Sequence, residues 1–194
     1  MGRIYYVMGK SASGKDTVYK ALRDRHPEFL AVVPYTTRPI REGERNGVEY
    51  YFVTEQQMNK MRDEGKIIEL RSYHTQYGVW NYFTADDGQI DAEHDYLMIG
   101  TLESYDALRT YFGNEKMVPI YIEVEDGLRL ERALERERRQ NVPKYSEMCR
   151  RFLADEKDFS EENLSRAGII KRFENKDLEN CLDEIERYLK VCYT

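Results

Sequence analysis

A stretch near the start of the chain decides its fold: Ile4-Tyr5-Tyr6-Val7-Met8-Gly9-Lys10-Ser11-Ala12-Ser13-Gly14-Lys15-Asp16-Thr17-Val18. The first five residues are apolar or aromatic and predict a buried β-strand. After a glycine-bearing loop, apolar residues at Val18, Ala21 and Leu22 have the spacing of a helix. The loop between them matches G-x-x-x-x-G-K, whose backbone N–H groups point at bound phosphate. The stretch therefore predicts a phosphate-binding loop between a strand and a helix.

The loop predicts a site for the phosphates of a nucleoside triphosphate. Glycine at its first and sixth positions permits close approach of the backbone, and Lys15 supplies a positive charge to the β- and γ-phosphates. Asp16 stands where the motif usually has a hydroxyl that binds Mg²⁺. A carboxylate is also a hard oxygen ligand, so we predict that Asp16 binds Mg²⁺, the alternative being that it caps the helix. The predicted nucleotide-binding residues of this loop are Gly9, Lys10, Ser11, Ala12, Ser13, Gly14, Lys15, Asp16 and Thr17.

Strands and helices alternate along the rest of the chain. Thr54, followed three residues later by Gln57, is a capping-box signature that predicts the start of a helix. Residues 96–100 predict a central strand, and residues 128–139 and 146–159 predict helices. A last strand is predicted over 168–173. Alternation of this kind predicts an α/β fold with a parallel sheet flanked by helices. We expect one domain over 1–194, with a core of 1–33, 84–124 and 161–194 and two insertions, 34–83 and 125–160.

Composition excludes several classes of protein. The chain has 194 residues, of which 41% are hydrophobic and 34% charged, with a formal charge of −6. The net charge argues against a nucleic-acid-binding surface, and the sequence has no apolar stretch of the roughly 20 residues that span a bilayer. Three scattered cysteines predict reduced, mostly buried thiols. We expect a cytoplasmic protein, because the first residues lack the features of a secretion signal.

The second informative segment is Thr36–Phe52, TTRPIREGERNGVEYYF. Together with the phosphate loop it resembles the guanylate kinase family, whose pattern here is T-T-R-x-x-R-x-G-E-x-x-G-x-x-Y-x-F. The resemblance continues through Ile67-Ile68-Glu69-Leu70 and Tyr77-Gly78. It implies a P-loop kinase fold in which 34–83 binds the acceptor and 125–160 forms a helical lid. It also implies transfer of a phosphoryl group from ATP to GMP, giving ADP and GDP, with Mg²⁺ as cofactor.

The chemistry of the residues fits an acceptor of this kind. Arg38 and Arg41 offer bidentate donors to a phosphate, and tyrosine hydroxyls can donate to the same group. Glu69 occupies the family's position for a carboxylate that accepts both the N1–H and the N2–H of guanine. The predicted acceptor-binding residues are Tyr35, Arg38, Arg41, Tyr50, Glu69, Tyr77 and Thr101. Each of them has a milder interpretation as a solvated charge or an ordinary packing residue.

The sequence departs from the family pattern at three places. Pro34 and Val79 stand where the family has hydroxyl residues that contact guanine, and Thr101 replaces a carboxylate at the end of the central strand. We hypothesise that the two metal-facing groups have exchanged places, with the carboxylate at Asp16 and the hydroxyl at Thr101. An aspartate after the loop lysine and a Gly-Thr at the end of the central strand also resemble the pattern of ribose 1,5-bisphosphate phosphokinase. That enzyme shares the fold, and its activity is the alternative function.

Arginines are concentrated in the second insertion. Arg132 and Arg136 lie four residues apart and share one helix face, in a spacing that resembles the family's lid. Family lids place arginines over the transferring phosphoryl group, and we predict Arg132, Arg136 and Arg151 as catalytic residues beside Lys15, with Arg150 as the alternative to Arg151. We expect Arg129 and Arg138 to be solvated. The resemblance places Asn175 in the adenine-binding loop.

A third function of another class is a non-catalytic guanylate kinase-like binding domain. Such domains have usually lost the phosphate loop and the lid arginines, whereas this sequence retains both. The expected partners are therefore the small molecules ATP and GMP, without nucleic acid or membrane, for a monomer or a homodimer.

Overall fold

A five-stranded sheet and a four-stranded sheet organise the computed structural model, which describes residues 2–75 and 78–192. The strands are β1 (Ile4–Met8), β2 (Leu30–Ala31), β3 (Tyr35–Thr36), β4 (Tyr51–Phe52), β5 (Ile67–Thr75), β6 (Gly78–Ala85), β7 (Tyr96–Gly100), β8 (Met117–Glu123) and β9 (Arg172–Glu174). The helices are α1 (Lys15–Arg25), α2 (Glu55–Asp63), α3 (Leu102–Phe112), α4 (Asp126–Arg138), α5 (Tyr145–Asp158), α6 (Glu161–Arg166) and α7 (Leu178–Cys192).

The larger sheet has the order β2-β7-β1-β8-β9, and all of its pairings are parallel. The strand predicted at Ile4–Met8 is confirmed as β1, and its five residues are buried. Alternation along β1 sends Tyr6 and Met8 into a cluster with α3 and Tyr5 and Val7 into a cluster with α1 and α7. Both faces of the sheet are therefore covered by helices, and the predicted α/β class is confirmed.

Parallel pairing sets the position of the site. Met8 at the end of β1 pairs with Gly100 at the end of β7. Gly9 and Thr101, the next residue after each strand, consequently lie at the same carboxyl edge of the sheet. Ligands of open parallel sheets bind outside this edge.

The smaller sheet is mixed and has the order β4-β3-β6-β5. Its long pair, β5 and β6, is antiparallel and contains a β-bulge between Ile67 and Glu69. The predicted capping box of α2 is confirmed, since the Thr54 side chain accepts from the Gln57 N–H and the Gln57 side chain accepts from the Thr54 N–H. A separate cluster around Met58, Phe83 and Ala85 supports this sheet.

The helices of the second insertion lie within two residues of their predicted bounds, as α4 and α5. The prediction for the last strand was less accurate. Helix α6, capped by the Ser160 hydroxyl, follows α5, and the strand begins only at Arg172. Gly168, where the sequence predicts a strand, has a left-handed φ of 71° that ends the helical segment instead.

Two further expectations concern membranes and thiols. In the described residues, no helix has both the length and the apolar character that crossing a membrane requires. Cys181 is a free, buried thiol, and burial raises its pKa to about 11. Cys149 is free but exposed on α5, so the expectation that the cysteines are mostly buried fails at this position.

Candidate active site

The phosphate loop runs from the end of β1 into α1. Gly14 precedes the helix with a φ of 84°, and Ala12 adopts a left-handed φ of 64°, a conformation that costs a non-glycine residue roughly 1 kcal/mol. Lys15 begins the helix, and its Nζ lies 3.4 Å from the exposed Asp16 carboxylate. The loop thus presents a lysine, a carboxylate and the start of a helix to the carboxyl edge of the sheet.

Asn175 supports the loop from behind. Its buried amide donates to the Ser13 carbonyl at 2.9 Å. A Cβ on Gly14 would lie 2.4 Å from the Asn175 Nδ2, so both the left-handed φ and this approach require glycine at the position. The structure therefore places Asn175, predicted to bind ATP, against the loop that would hold the phosphates.

A cleft of about 370 Å³ opens beside the loop. It is lined by Gly14, Thr17, Arg132, Asn175, Lys176, Asp177 and Leu178. Arg132 donates to the Lys176 carbonyl at 3.3 Å across this cleft. The cleft is positioned to receive the nucleoside of a nucleotide whose phosphates occupy the loop.

The first half of the loop is tied to the second insertion. The Ser11 N–H donates to the Asp155 carboxylate at 2.8 Å, and the Lys10 ammonium donates to Glu156 at 2.7 Å. Both acidic residues lie on α5. These contacts fix the position of α5 relative to the loop, and they use one backbone donor that faces anions in loops of this type.

Arg129 joins the same network and corrects an expectation. Its side chain is only 1% exposed and donates to Asp126, Asp155 and Glu156, with the Phe152 ring 3.9 Å from its guanidinium carbon. The expectation that Arg129 is solvated was wrong, because three carboxylates compensate the burial of its charge. Arg138, on the same helix, is exposed as expected.

Arg38 is the buried cation of the predicted acceptor segment. Its guanidinium makes a bidentate pair with Glu44 at 2.7 and 2.6 Å and packs over the rings of Tyr50 and Phe52. The hydrogen bond from Arg38 lowers the pKa of Glu44 to about 2. The Arg38 Nε has no acceptor among the described residues. The family pattern R-x-x-R-x-G-E thus forms a compact turn around one ion pair.

The other predicted acceptor residues differ in exposure and in the contacts that they already make. Arg41 is exposed, and its backbone N–H donates to Glu44. The Tyr35 hydroxyl donates to Asp87 at 2.5 Å while its ring stacks on Phe83, so this residue is engaged in packing. Tyr77 lies outside the described residues.

Tyr50 packs against the buried arginine of the predicted acceptor segment. The Arg38 guanidinium carbon lies 5.1 Å from the centre of the Tyr50 ring. Burial raises the pKa of the Tyr50 hydroxyl, and the charges of Arg38 and Arg71 oppose this shift.

Glu69 sits at the β-bulge of β5. The bulge brings it opposite Thr84, whose hydroxyl donates to the Glu69 Oε1 at 2.9 Å. Bulges commonly redirect side chains beside functional sites. The Glu69 side chain is 4% exposed, so the carboxylate predicted to contact guanine is nearly enclosed.

Arg71 is the functional candidate that the sequence reasoning missed. It lies two residues after Glu69 on the same strand, and side chains at this spacing share a face. Its guanidinium binds Glu69 through Nε at 2.9 Å and Nη2 at 3.3 Å, and its Nη1 donates to the Thr101 hydroxyl at 3.1 Å. Burial lowers the pKa of Arg71, but the charge and hydrogen bonds of Glu69, together with Tyr6 and Tyr73, outweigh it and the net shift is upward. The alternation within β5 was the signal that could have found this pair.

The structure gives Thr101 and Asp16 different roles. Thr101 caps α3, accepting from the Ser104 N–H in a capping box, and also accepts from Arg71. A hydroxyl that accepts from a guanidinium is a poor neighbour for a cation. Asp16 makes no cap bond, since Gly14 is the cap residue of α1 and has no side chain to bond, and its carboxylate is 83% exposed. The geometry favours Asp16, and not Thr101, as a residue that could bind a metal.

No group of three or more His, Cys, Asp or Glu residues suited to a metal ion occurs within the described part of the chain. This agrees with the way kinases bind Mg²⁺, in which one or two carboxylates act together with the phosphates of the substrate. Asp16 fits this requirement, because it is exposed at the start of α1 beside Lys15.

The other lid arginines are not among the residues that line the cleft. Arg136 is exposed on α4, and Arg150 and Arg151 both donate to Glu147 on α5. Both contacts lower the pKa of Glu147 to about 2. Of the lid arginines predicted to be catalytic, Arg132 alone lines the cleft beside the phosphate loop.

Comparison with known proteins agrees with this geometry. The family model described as guanylate kinase matches residues 1–191. The chain belongs to the guanylate kinase family.

Individual relatives match over a shorter stretch. The chain is 49% identical over 61 residues to a guanylate kinase of Frankia casuarinae, a match covering 31% of this chain and 33% of the relative. It is 45% identical over 71 residues to a guanylate kinase of Thermobifida fusca, covering 37% and 36%. The matches thus cover about a third of the length of these guanylate kinases.

The fold is similar to that of a solved guanylate kinase. The crystal structure of guanylate kinase from Anaplasma phagocytophilum superposes with a TM-score of 0.62 at 21% identity, covering 98% of this chain and 85% of that chain. At this identity the likeness supports the fold alone.

Proposed function

We propose that this guanylate kinase family member transfers the γ-phosphoryl group of ATP to GMP, with Mg²⁺ as cofactor. One observation carries the proposal: Arg71 of the acceptor sheet donates to Thr101 at the carboxyl edge of the larger sheet. Gly100, just before Thr101, pairs with Met8, which immediately precedes the phosphate loop. The acceptor sheet and the loop therefore meet at one edge, as a transfer between two bound phosphates requires.

The donor nucleotide is assigned to the loop and its cleft. Backbone N–H groups at the start of α1 and the Lys15 ammonium face its phosphates. The cleft lined by Arg132, Asn175 and Leu178 receives its nucleoside. Asn175 keeps the loop in shape through its bond to the Ser13 carbonyl.

The acceptor phosphate is assigned to Arg38, Arg41 and the Tyr50 hydroxyl. Arg38 is already paired with Glu44, so the phosphate joins or replaces an internal carboxylate partner, while the exposed Arg41 is available for a new contact. A guanidinium is suited to this exchange because its planar donors fit carboxylate and phosphate equally well.

Asp16 is the residue proposed to hold Mg²⁺ together with the nucleotide phosphates. When bound, the ion would neutralise charge on the β- and γ-phosphate oxygens. The chain's own part is to orient the reactants. The attacking oxygen of a nucleoside monophosphate is already ionised, so no general base is needed, and positioning and charge neutralisation account for the rate.

The lid arginines complete the proposal. Arg132 already lies in the cleft, whereas Arg136 is exposed and Arg151 is paired with Glu147. These two side chains reach the transferring group by local movement of their parts of α4 and α5, while the Ser11–Asp155 contact holds α5 to the loop. Movement of this kind also excludes water from the reacting phosphates. Arg151 must then exchange Glu147 for the phosphoryl oxygens.

A coupled assay that detects ADP tests the proposal. The purified chain is offered ATP and Mg²⁺ with GMP, dGMP, AMP, UMP or ribose 1,5-bisphosphate. We expect turnover with GMP and dGMP well above the rate without acceptor. Turnover of ribose 1,5-bisphosphate alone would assign the alternative kinase, and no turnover with any acceptor would favour a binding domain. Product analysis must show GDP, so that simple ATP hydrolysis is not counted. The cytoplasmic location and the monomer or homodimer state stay predictions from the sequence.

A further inference from the structure

The carboxylate assigned to the acceptor base is already occupied by protein donors. Three hydrogen bonds from the described residues reach Glu69: one from Thr84 to Oε1, one from the Arg71 Nη2 to Oε1 and one from the Arg71 Nε to Oε2. A carboxylate has about four lone-pair positions. One position, on Oε2, is therefore left for a ligand.

Burial keeps this ion pair together. The Glu69 and Arg71 side chains are 4% and 12% exposed. Displacing Arg71 would leave a buried carboxylate without its counter-charge, which is strongly unfavourable. An incoming base thus meets a preformed carboxylate–guanidinium pair, of which the guanidinium is the more accessible half.

Guanine offers two adjacent donors, N1–H and N2–H, but the occupied carboxylate has one position free. The guanidinium has five N–H donors, of which Glu69 takes two and Thr101 one. A remaining donor suits an acceptor atom beside the N1–H, and in guanine this atom is O6. In protein–DNA complexes, arginine contacts to the O6 of guanine are among the commonest specific contacts.

We propose that Arg71 and Glu69 together recognise the 6-oxo edge of the acceptor purine, with N1–H donating to Glu69 and O6 accepting from Arg71, and that the 2-amino group goes unrecognised. The inference rests on the proposed function and specifies its substrate class as 6-oxopurine nucleoside monophosphates, including IMP. Adenine presents the opposite pattern, with an acceptor at N1 and a donor at N6, and is excluded.

The test compares kcat/KM for GMP, IMP and AMP at saturating ATP. The proteins are the wild type, Arg71→Met, Arg71→Lys and the matched control Arg62→Met, which alters an exposed arginine of α2. A site that hydrogen-bonds the 2-amino group would reject IMP by roughly 10⁴-fold. We expect IMP to be used within about 10-fold of GMP by the wild type and the control.

Arg71→Met supplies the second readout. It frees the carboxylate to accept both guanine donors, so the GMP/IMP ratio should rise at least ~10-fold, whereas Arg71→Lys, which keeps the charge, should stay closer to the wild type. If the role of Arg71 were purely structural, the substitution would lower kcat/KM for GMP and for IMP equally and leave their ratio unchanged. If Arg71→Met does not fold, the GMP/IMP ratios of Arg71→Lys and of the wild type still test the proposal.

Failure of this inference can be told apart from failure of the proposed function. A wild type that uses GMP but rejects IMP by more than about 10³-fold overturns the 6-oxo inference and leaves the guanylate kinase activity standing. An unchanged ratio in Arg71→Met overturns the role of Arg71. A wild type that uses neither GMP nor IMP, but does use another acceptor, overturns both.

Discussion

The two regions that we propose to bind phosphate hold their positive groups in different ways. In the phosphate loop the donors are backbone amides and Lys15, whose nearest carboxylate oxygen, on Asp16, is 3.4 Å away in a largely exposed side chain. In the acceptor region each buried arginine already has a close carboxylate, Glu44 for Arg38 and Glu69 for Arg71. The donor site is thus open at Lys15, although Asp155 and Glu156 already bind Ser11 and Lys10 in the first half of the loop. The acceptor site is neutralised and binds its ligand by joining or replacing internal ion pairs.

This difference has a consequence for affinity. A phosphate entering the loop gains a new interaction with Lys15, whose nearest described carboxylate oxygen lies 3.4 Å away. A phosphate at Arg38 instead competes with an existing bidentate partner. The acceptor site gains selectivity from the exchange, since only a ligand that matches the geometry of the carboxylate compensates its loss.

The largest expected effect concerns the tie between the loop and the second insertion. Arg129→Met removes the buried cation that Asp126, Asp155 and Glu156 surround. Lys10 still pairs with two of these carboxylates, but it does not replace the buried guanidinium. We expect the free energy of unfolding to fall by about 3–5 kcal/mol, measured by urea denaturation. Arg138→Met, an exposed arginine of the same helix, should change it by less than about 0.5 kcal/mol. Equal losses of unfolding free energy in the two variants would mean that the Arg129 network does not stabilise the fold.

The open charge of the donor site comes next. Lys15→Ala should lower kcat/KM for ATP by about 10²- to 10³-fold, because the loop loses the charge that faces the phosphates, without a matching loss in thermal stability. Lys20→Ala, an exposed lysine one turn further along α1, serves as the control. A Lys15→Ala enzyme with near-normal kcat/KM would contradict the donor assignment.

The neutralised acceptor pair makes a pH-dependent contribution. The pKa of Glu44 lies near 2 in the folded chain, below its ordinary value, so its stabilisation is complete above pH ~4.5 and declines as the pH falls toward 2. Glu44→Gln should cost roughly 1–3 kcal/mol at neutral pH, and the difference from the wild type should shrink in acid. Unfolding measured at pH 7 and pH 3.5, with exposed Glu42→Gln as control, checks this. A difference that does not change with pH would mean that the charge of Glu44 contributes nothing to stability.

The smallest effects separate the metal hypothesis into its two halves. Asp16→Ala should raise the Mg²⁺ concentration needed for half-maximal rate with little change in stability, because its carboxylate is exposed. Thr101→Ala should leave the Mg²⁺ dependence unchanged and lower stability by about 1 kcal/mol, because it removes the cap of α3. If Thr101→Ala raised the Mg²⁺ requirement and Asp16→Ala did not, Thr101 would face the metal, as the hypothesis from the sequence states.

Local signals predicted much of the fold. The apolar run Ile4–Met8 and the capping box at Thr54 and Gln57 involve residues close in sequence, and both are found as predicted. Helix α6 was missed because its 6 residues are too few for a helical spacing of apolar residues to show. Strand β6 was not predicted either.

The site was less predictable wherever long-range contacts decide it. Arg129 is buried by acidic residues that lie 26 and 27 positions away on another helix, and Arg71 meets Thr101 from 30 positions away. Periodicity cannot show such pairs, although the spacing of Glu69 and Arg71 within a strand could have. The family pattern located Arg38 correctly but did not indicate that Glu44 neutralises it.

One binding measurement tests the central claim that both anion sites face each other across a single transferred group. The probe is adenosine joined to guanosine through five phosphates, titrated calorimetrically into the wild type, Lys15→Ala and Arg38→Ala. The account predicts that the linked probe binds more tightly than ATP or GMP alone and that each substitution weakens it. Weakening by Lys15→Ala, with no effect of Arg38→Ala and no gain over ATP, would show that the acceptor arginine does not face the loop.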